Sequence, residues 1–348
     1  MKITTKEVRD TVKVLGNIIK EYKLENPNKA RDWRTYEQRV AKRLKIAFNE
    51  LKPLVDDAVN SIKIVRGDSR GSKSLTTLNQ KVLILLLKNL LGKSNRNMSF
   101  MNILFQWLTD ISVSYKTIER LYSDEQVILV LHNMHILILK KKGIEEADCS
   151  GDGTGYTLTI KQHYSSYAQK LKDKAKENNK QKSDEKKERK HKESKKLQFI
   201  YSFSLMDIKT RMYIAYGTSF KSEQDAFFNA IAMAKDTGLK VKTLRLDKYF
   251  SAQEYVELCQ KNFGKVTLYL IPKKNATIKG SWEWKRMMDS FAHCTKDYLK
   301  EYYQRNQSES GISEDKKRTG WKLGQKRPDR IDTADKLRGV WHNLYWLG

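Results

Sequence analysis

The sequence predicts an α/β protein: a mixed β-sheet with flanking helices, preceded by an all-helical N-terminal region. Two observations lead to this fold class. Over the first 145 residues, apolar side chains recur every three or four positions, which is the period of a helix that buries one face. Beyond Gly151, short apolar and β-prone runs alternate with helical ones, a pattern typical of a sheet with helices packed against it.

The helical region is predicted to cover residues 1–145 and the α/β domain residues 146–348. Within the helical region, segment 99–140 resembles a helix-turn-helix pair. One helix ends near Thr109 and a second begins at Tyr115, where the hydroxyl of Ser112 or Ser114 is placed to cap it. A helix that reads DNA begins in this way, but an ordinary amphipathic hairpin accounts for the pattern equally well.

The elements of the α/β domain can be assigned in chain order from their patterns. They are a strand Tyr156–Ile160, strands Leu197–Met206 and Arg211–Tyr216 joined by the turn Asp207–Thr210, a helix Ser222–Lys235, a strand Val241–Leu246, a helix Ala252–Lys261, a strand Val266–Ile271 and a long helical tail.

A lysine-rich insertion over residues 167–197 separates the first two predicted strands. Its segment Lys170–Lys196 carries thirteen Lys and Arg against six Asp and Glu and has almost no apolar side chains. Such a composition cannot bury a core. Two interpretations remain open, a solvated excursion and an arm that contacts DNA.

The charge of the whole chain indicates a polyanionic partner. Its 348 residues include 68 Lys and Arg against 41 Asp and Glu, a formal net charge of +27. Polyanion binding is the usual reason for such an excess, although a ribosome-associated protein or a protein of a salt-adapted cell would also fit. The three cysteines lack metal-ligand spacing, and the most apolar run, Val82–Leu91, is too short to span a membrane. We therefore expect a soluble, cytoplasmic protein.

Two aspartates next to predicted strands are candidates for a metal-binding site at the end of the sheet. Asp152 is followed by Gly-Thr-Gly and an apolar strand, and small residues there allow a metal or a DNA backbone to approach closely. Asp148 competes with it, and an ordinary Asp-Gly turn is the plain alternative. Asp247 directly follows a predicted strand, at the carboxyl end where such sheets bind ligands; its alternative is a helix N-cap.

A third carboxylate belongs to a more specific pattern, Tyr302-x2-Arg305-x3-Glu309-x6-Lys316. These spacings place all four side chains on one face of a helix. That face combines a carboxylate with a phenol and two cations, a surface suited to phosphates. A solvent-exposed glutamate is the plain alternative for Glu309 alone.

The four-residue pattern resembles the Y-R-E-K signature of a large group of bacterial and archaeal insertion-sequence transposases. The Asp152-Gly-Thr-Gly segment resembles the first-aspartate motif of this group, Leu246-Asp247-Lys248-Tyr249 the second, and the segments around Lys316-Lys317-Arg318 and His342-Asn343-Leu344 its C-terminal tail. The resemblance covers roughly residues 145–348 in order and spacing.

This resemblance implies an RNase H-like fold and a DDE triad, Asp152, Asp247 and Glu309, that binds two magnesium or manganese ions. It implies DNA contacts by Tyr302, Arg305 and Lys316, to which we add Lys317 and Arg318 and, beside aromatic residues, Lys273 and Lys274. The implied partners are the terminal inverted repeats and the target DNA, bound by two or more copies of the chain at the prokaryotic nucleoid.

Two other functions remain open from the sequence. One is an RNase H-like nuclease that never transfers strands, and the other is a DNA-binding protein with an inactive core. One residue departs from the expected pattern: Gly311 lies inside the catalytic helix, where glycine costs about 1 kcal/mol relative to alanine. We therefore expect this helix to be short or to become ordered only on DNA.

Overall fold

The computed structural model describes residues 3–27, 33–62, 76–109, 112–157, 199–325 and 327–348. The predicted lysine-rich insertion lies outside these residues. The helices are α1 (Thr5–Glu25), α2 (Tyr36–Asn60), α3 (Leu78–Leu90), α4 (Asn95–Thr109), α5 (Tyr115–Leu121), α6 (Glu125–Lys141), α7 (Glu223–Asp236), α8 (Gln253–Phe263), α9 (Trp282–His293), α10 (Thr295–Tyr302), α11 (Asn306–Thr319) and α12 (Pro328–Trp346). The strands are β1 (Glu146–Thr157), β2 (Phe199–Asp207), β3 (Tyr213–Ser219), β4 (Lys240–Arg245) and β5 (Thr267–Tyr269).

The five described strands form one mixed sheet in the order β3-β2-β1-β4-β5. The central strand β1 pairs antiparallel with β2 and parallel with β4. Helices cover both faces of the sheet. Alternate residues of β2 point to opposite faces: Phe203 packs edge-on against Phe227 of α7, whereas Ser204 accepts a hydrogen bond from Arg338 of α12. The predicted α/β class is confirmed.

The first strand is longer than the sequence analysis predicted. A strand was expected only over Tyr156–Ile160, but β1 already begins at Glu146 and passes through the glycines; residues 158–160 lie outside the described part. The alternative of an Asp-Gly turn was wrong, because this segment is paired on both sides. A side chain at Gly151 would clash with Leu246 and Phe203, so the glycine serves close packing.

The hairpin and the helix starts agree with their sequence signals. β2 and β3 are joined through Asp207, whose carboxylate accepts a hydrogen bond from the backbone N–H of Thr210 at 2.8 Å. Ser222 caps α7 and Ser114 caps α5 through the same kind of side-chain hydrogen bond. The start of α5 at Tyr115 matches the second helix of the predicted helix-turn-helix pair.

The helices of the first 145 residues and the sheet share one continuous core. A single cluster of buried apolar side chains extends from Ile3 to Trp346. The C-terminal helix α12 packs against α2, α3 and α6 on one side and β3 on the other, and α1 packs against α9 and α10. None of the described helices is long and apolar enough to cross a membrane.

The segment predicted as one helix from Tyr302 to Lys316 is divided into three elements. Tyr302 ends α10, a 3-10 turn covers Tyr303–Arg305, and α11 begins at Asn306. α11 is nevertheless continuous for 14 residues and includes Gly311, so the expectation of a short helix was wrong. Gly311 is buried, and a Cβ there would overlap the end of Met206; the close approach of α11 to β2 explains the glycine.

Candidate active site

Asp152 and Asp247 lie on neighbouring strands at the same level. Ser150 of β1 stands opposite Arg245 of β4, and continuing this parallel register by two residues brings Asp247 level with Asp152. Adjacent strands are about 4.8 Å apart, so the two carboxylates are neighbours at this edge of the sheet. The sequence analysis placed Asp247 at the carboxyl end of its strand, and the structure agrees with that position.

Helix α11 brings Glu309 to the same place, where Arg305 links it to Asp152. The Nη1 atom of Arg305 lies 3.4 Å from Oδ1 of Asp152, and its Nη2 lies 2.6 Å from Oε1 of Glu309. Arg305 is 15% exposed and Glu309 is 47% exposed. The guanidinium therefore lies between the two carboxylates, at the mouth of the site.

A fourth carboxylate, Glu223, belongs to this cluster and was missed by the sequence analysis. It stands in the first turn of α7 beside Gly153, where a Cβ would overlap the Glu223 carboxylate. In the described part of the chain neither Glu223 nor Asp247 has a side-chain hydrogen bond or an ion pair. The nearest sequence signal was Gly153 itself, since a glycine in a paired strand marks a close approach.

The electrostatics reflect an excess of negative charge. Burial raises the pKa of Asp152 to about 7; Arg305 opposes this rise, while Glu309, Glu223 and Asp247 add to it. The pKa of Glu223 is raised by its burial and by Asp247. Four carboxylates thus act on one another, and Arg305 forms ion pairs with two of them; such an arrangement favours additional positive charge.

Asp148, the alternative first aspartate, makes its contacts elsewhere. Its carboxylate accepts a hydrogen bond from Thr243 at 2.8 Å and forms an ion pair with Lys209 at 2.7 Å. It is not among the groups that shift the pKa of Asp152. Of the two candidates, the structure therefore brings Asp152 to the cluster.

Tyr302 and Lys316, predicted to contact DNA, are both buried. The ring of Tyr302 lies 6.0 Å from the Arg305 guanidinium, and burial raises the pKa of its hydroxyl to about 12. Lys316 points toward β1, where its ammonium donates to the carbonyl of Gly155 at 3.1 Å and contacts the Thr154 hydroxyl. Its predicted phosphate contact stays a prediction, because the side chain in this structure supports the strand.

The other predicted DNA contacts divide between the surface and the interior. Lys317, Lys273 and Lys274 are exposed. Arg318 is 24% exposed and forms an ion pair with Asp315 at 3.4 Å. The loop with Lys273 and Lys274 contacts α1, since Arg9 donates to the Ala276 carbonyl at 3.1 Å. Of these four predicted contacts, the three lysines are therefore exposed to a ligand in this structure, and Arg318 is engaged in an ion pair.

The carboxylate cluster suits a hard divalent cation in its donor chemistry. Among the described residues, however, no three Asp, Glu, His or Cys side chains are grouped closely enough to hold one metal ion. The Arg305 guanidinium occupies the space between two of them, Asp152 and Glu309. The donors therefore fit such an ion in their chemistry, and their arrangement in this structure is that of an arginine ion pair.

Comparison with known proteins gives one close similarity. The chain is 37% identical over 346 residues to the probable transposase for insertion sequence element ISA1214 of Archaeoglobus fulgidus, an alignment that covers 99% of this chain and 97% of that relative. No family model matches the chain, and no solved structure matches it.

Proposed function

Because the chain belongs to the family of this insertion-sequence transposase, we propose that it is a DDE transposase, which cuts DNA at the ends of a mobile element and joins them to a target. The observation that carries the proposal is the meeting of Asp152, Asp247 and Glu309 at one edge of the sheet, with more negative charge than Arg305 neutralises. A mixed sheet with helices on both faces supports an RNase H-like core.

Asp152, Asp247 and Glu309 are the proposed ligands of two magnesium or manganese ions. When bound, such ions stabilise the attacking and the leaving oxygen of a phosphodiester. With its pKa raised to about 7, the carboxyl group of Asp152 is only partly ionised near neutral pH. The proton must leave before Asp152 can act as a ligand, since a metal ligand must be deprotonated.

Arg305 is proposed to exchange its carboxylate partners for DNA. In the metal-free protein it ties Asp152 to Glu309. Once additional positive charge satisfies those carboxylates, its guanidinium is free to form paired hydrogen bonds with a phosphate. The 3-10 turn that carries Arg305 lies between α10 and α11, and a change in this turn is the proposed way in which the side chain is redirected.

The partners of the proposed enzyme are the terminal inverted repeats of its element and the target DNA, bound by two or more copies of the chain at the nucleoid. The net charge of +27 supports polyanion binding. Phosphate contacts of this kind make the affinity for DNA fall steeply with salt, by roughly 0.9 in the log–log slope for each phosphate neutralised.

The test compares Glu309→Gln with the parent protein in two assays, gel-shift affinity for a duplex end of the element and magnesium-dependent nicking of that duplex. Glutamine keeps the shape of the side chain but is a poorer ligand for magnesium, so nicking should fall by orders of magnitude while binding persists. Glu254→Gln, on the exposed face of α8, is the matched control.

Equal nicking by Glu309→Gln and the parent would contradict the proposal. A second assay with pre-cleaved ends and a target plasmid distinguishes a transposase from a nuclease, because only a transposase joins the 3′ ends to the target. Loss of joining in Glu309→Gln, with joining retained in Glu254→Gln, is the expected result.

A further inference from the structure

A groove of about 1170 Å³ lies between the N-terminal helices and the loop that joins α11 to α12. The turn after α3 forms one wall, and the loop with Trp321 and Lys322 forms the opposite one. Its size is that of a binding site for a sizeable ligand. None of the proposed metal ligands lines it, so the proposed chemistry leaves it unexplained.

The lining of the groove is strongly cationic. Among the described residues it contains six basic side chains, Lys88, Lys93, Arg96, Lys322, Arg327 and Arg330, and one acidic one, Glu119, which forms an ion pair with Arg330.

Lys88 points most clearly to an anion. It is 7% exposed, and its ammonium donates a hydrogen bond to the hydroxyl of Tyr122 at 2.8 Å. No ion pair joins it to a carboxylate in the described part of the chain, and burial lowers its pKa to about 8. A buried cation without a counter-charge is costly, and phosphate oxygens from a ligand would supply that charge.

Two half-exposed aromatic rings add a second kind of contact. Trp321 is 48% exposed and Tyr115 is 36% exposed. The ammonium of Lys316 lies 4.8 Å from the Trp321 ring, and the Arg96 guanidinium lies 5.2 Å from the Tyr115 ring. Aromatic rings beside cations are the usual platform on which unpaired bases stack.

Hydrogen-bond acceptors in the wall distinguish a nucleotide from a simple anion. The amide oxygens of Asn89 and Asn95 are buried and have no hydrogen-bond partner among the described residues. A buried acceptor without a donor is unfavourable. A phosphate diester has no N–H group to donate, whereas the amino groups of the bases are hydrogen-bond donors. A ligand with both phosphates and bases therefore matches both the cations and the amide oxygens of the lining.

Two elements, β1 and α11, connect the groove to the proposed active site. Its wall includes Thr157 at the end of β1 and Thr319 at the end of α11. Glu309 and Thr319 are ten residues apart on α11 (319 − 309), or about 15 Å along a helix. That distance is on the order of four nucleotides of stacked DNA.

We propose that this groove binds an unpaired DNA strand, with phosphates on Lys88, Lys93 and Lys322 and a base stacked on Trp321. The strand must be unpaired there, because the face of a base in a duplex is covered by its neighbours. The inference rests on the proposed function for its choice of DNA and for its place beside the cleavage site.

The test measures binding of a fluorescent ten-nucleotide single strand, and of the same sequence as a duplex, by anisotropy without divalent metal. Trp321→Ala should weaken single-strand binding about 5- to 100-fold, the range of one stacked base. Trp282→Ala is the matched control, because Trp282 is 61% exposed and lies outside the groove. Trp321→Phe, which keeps an aromatic ring, should retain most of the affinity and guards against misfolding.

Lys322→Glu tests the phosphate contacts. It should lower the salt dependence of single-strand binding by about 0.7 in the log–log slope, or more because the charge is reversed. Lys261→Glu, on the exposed surface of α8, should change it less.

Two outcomes would overturn the inference: Trp321→Ala binding the single strand as well as Trp282→Ala, or losing duplex and single-strand affinity equally. The second outcome would assign the groove to a duplex backbone. Since this assay needs neither metal nor cleavage, its result does not depend on the proposed metal ligands. Failure of the groove is thus separable from failure of the proposed chemistry.

Discussion

A charge cluster lies near each end of helix α11, and the two clusters differ in how their charges are balanced. Near its start, the active-site cluster gathers Asp152, Glu223, Asp247 and Glu309, and among the described residues Arg305 is the cation that forms ion pairs with them. Near its end, the network cluster joins Asp315 to groups from α12 and β3. The first is deficient in positive charge, whereas the second is fully paired.

Every acidic oxygen of the network cluster has a partner. Tyr213 donates its hydroxyl to Asp315 at 2.7 Å, and Arg338 and His342 contact the same carboxylate at 3.3 Å and 2.9 Å. Arg338 also forms an ion pair with Asp335 at 2.7 Å. Burial raises the pKa of Asp315, but His342, Arg318 and Arg338 outweigh it and hold the pKa at about 2.

The comparison shows how charged side chains that stabilise the fold differ from those that are available to bind a ligand. A paired charge fixes neighbouring elements, and breaking the pair is costly because it leaves a buried charge alone. A group of carboxylates without enough partners costs stability in the free protein, so its persistence indicates a ligand. One helix of 14 residues carries both kinds.

The largest expected effect comes from removing the central arginine of each cluster. Arg338→Met leaves Asp335 buried without its main cation and removes one of the cations around Asp315, so the free energy of unfolding should fall by about 3–5 kcal/mol. Arg305→Met should cost less than about 1 kcal/mol, because Glu309 is half-exposed and Asp152 can take up a proton. Urea denaturation of both variants at pH 7 measures this, and equal losses would contradict the contrast.

The next effect is that the two clusters should change the stability of the protein in opposite directions as pH rises. The pKa of Asp152 rises from 3.8 to about 7 on folding, so the folded protein binds more protons than the unfolded chain between these values. This contribution lowers stability as pH rises from 4 to 7. Without metal, Asp152→Asn should therefore be about 2–4 kcal/mol more stable than the parent at pH 8 and equal to it at pH 4.

Asp315 should behave in the opposite way. Its folded pKa of about 2 lies below the ordinary 3.8, so its charge stabilises the fold above pH 4, and this contribution is lost as pH falls toward 2. Asp315→Asn should be less stable than the parent at pH 7 by at least about 2 kcal/mol. Thermal unfolding from pH 3 to 8 measures both variants, and shifts of the same sign would contradict the account.

The sequence predicted those features whose determinants lie close together in the chain. The β2–β3 hairpin follows from Asp207 and Thr210, and the starts of α5 and α7 follow from the Ser114 and Ser222 caps. Asp247 could be placed because it directly follows an alternating strand. In each case a local hydrogen bond or a local period decides the structure.

Features that depend on distant partners could not be predicted. The strand character of Asp152-Gly-Thr-Gly comes from β2 and β4 pairing on both sides, and the inward direction of Lys316 comes from β1 beneath it. Glu223 resembles any acidic residue in the first turn of a helix. Only the tertiary fold brings it beside Gly153.

The smallest expected effect concerns one hydroxyl in each cluster. Tyr213→Phe removes the hydrogen bond to Asp315 and should lower the free energy of unfolding by about 1.5–3 kcal/mol, as for a buried bond to a charged group. Tyr302→Phe, beside the active-site cluster, should change it by less than about 1 kcal/mol. Chemical denaturation of the two variants in parallel measures this, and a larger loss for Tyr302→Phe would reverse the assignment.

The central claim is that the underpaired cluster exists to bind divalent cations, and a manganese titration tests it most directly. Isothermal calorimetry at pH 8 should show Mn²⁺ binding to the parent protein. It should show at least tenfold weaker binding to Asp247→Asn and Glu309→Gln, as expected for the loss of a ligand, and tighter binding to Arg305→Met, where the competing guanidinium is gone. Asp289→Asn, which alters an acidic residue of α9 outside the cluster, should bind as the parent does. Equal affinity in all these variants, or no binding to the parent, would contradict the account.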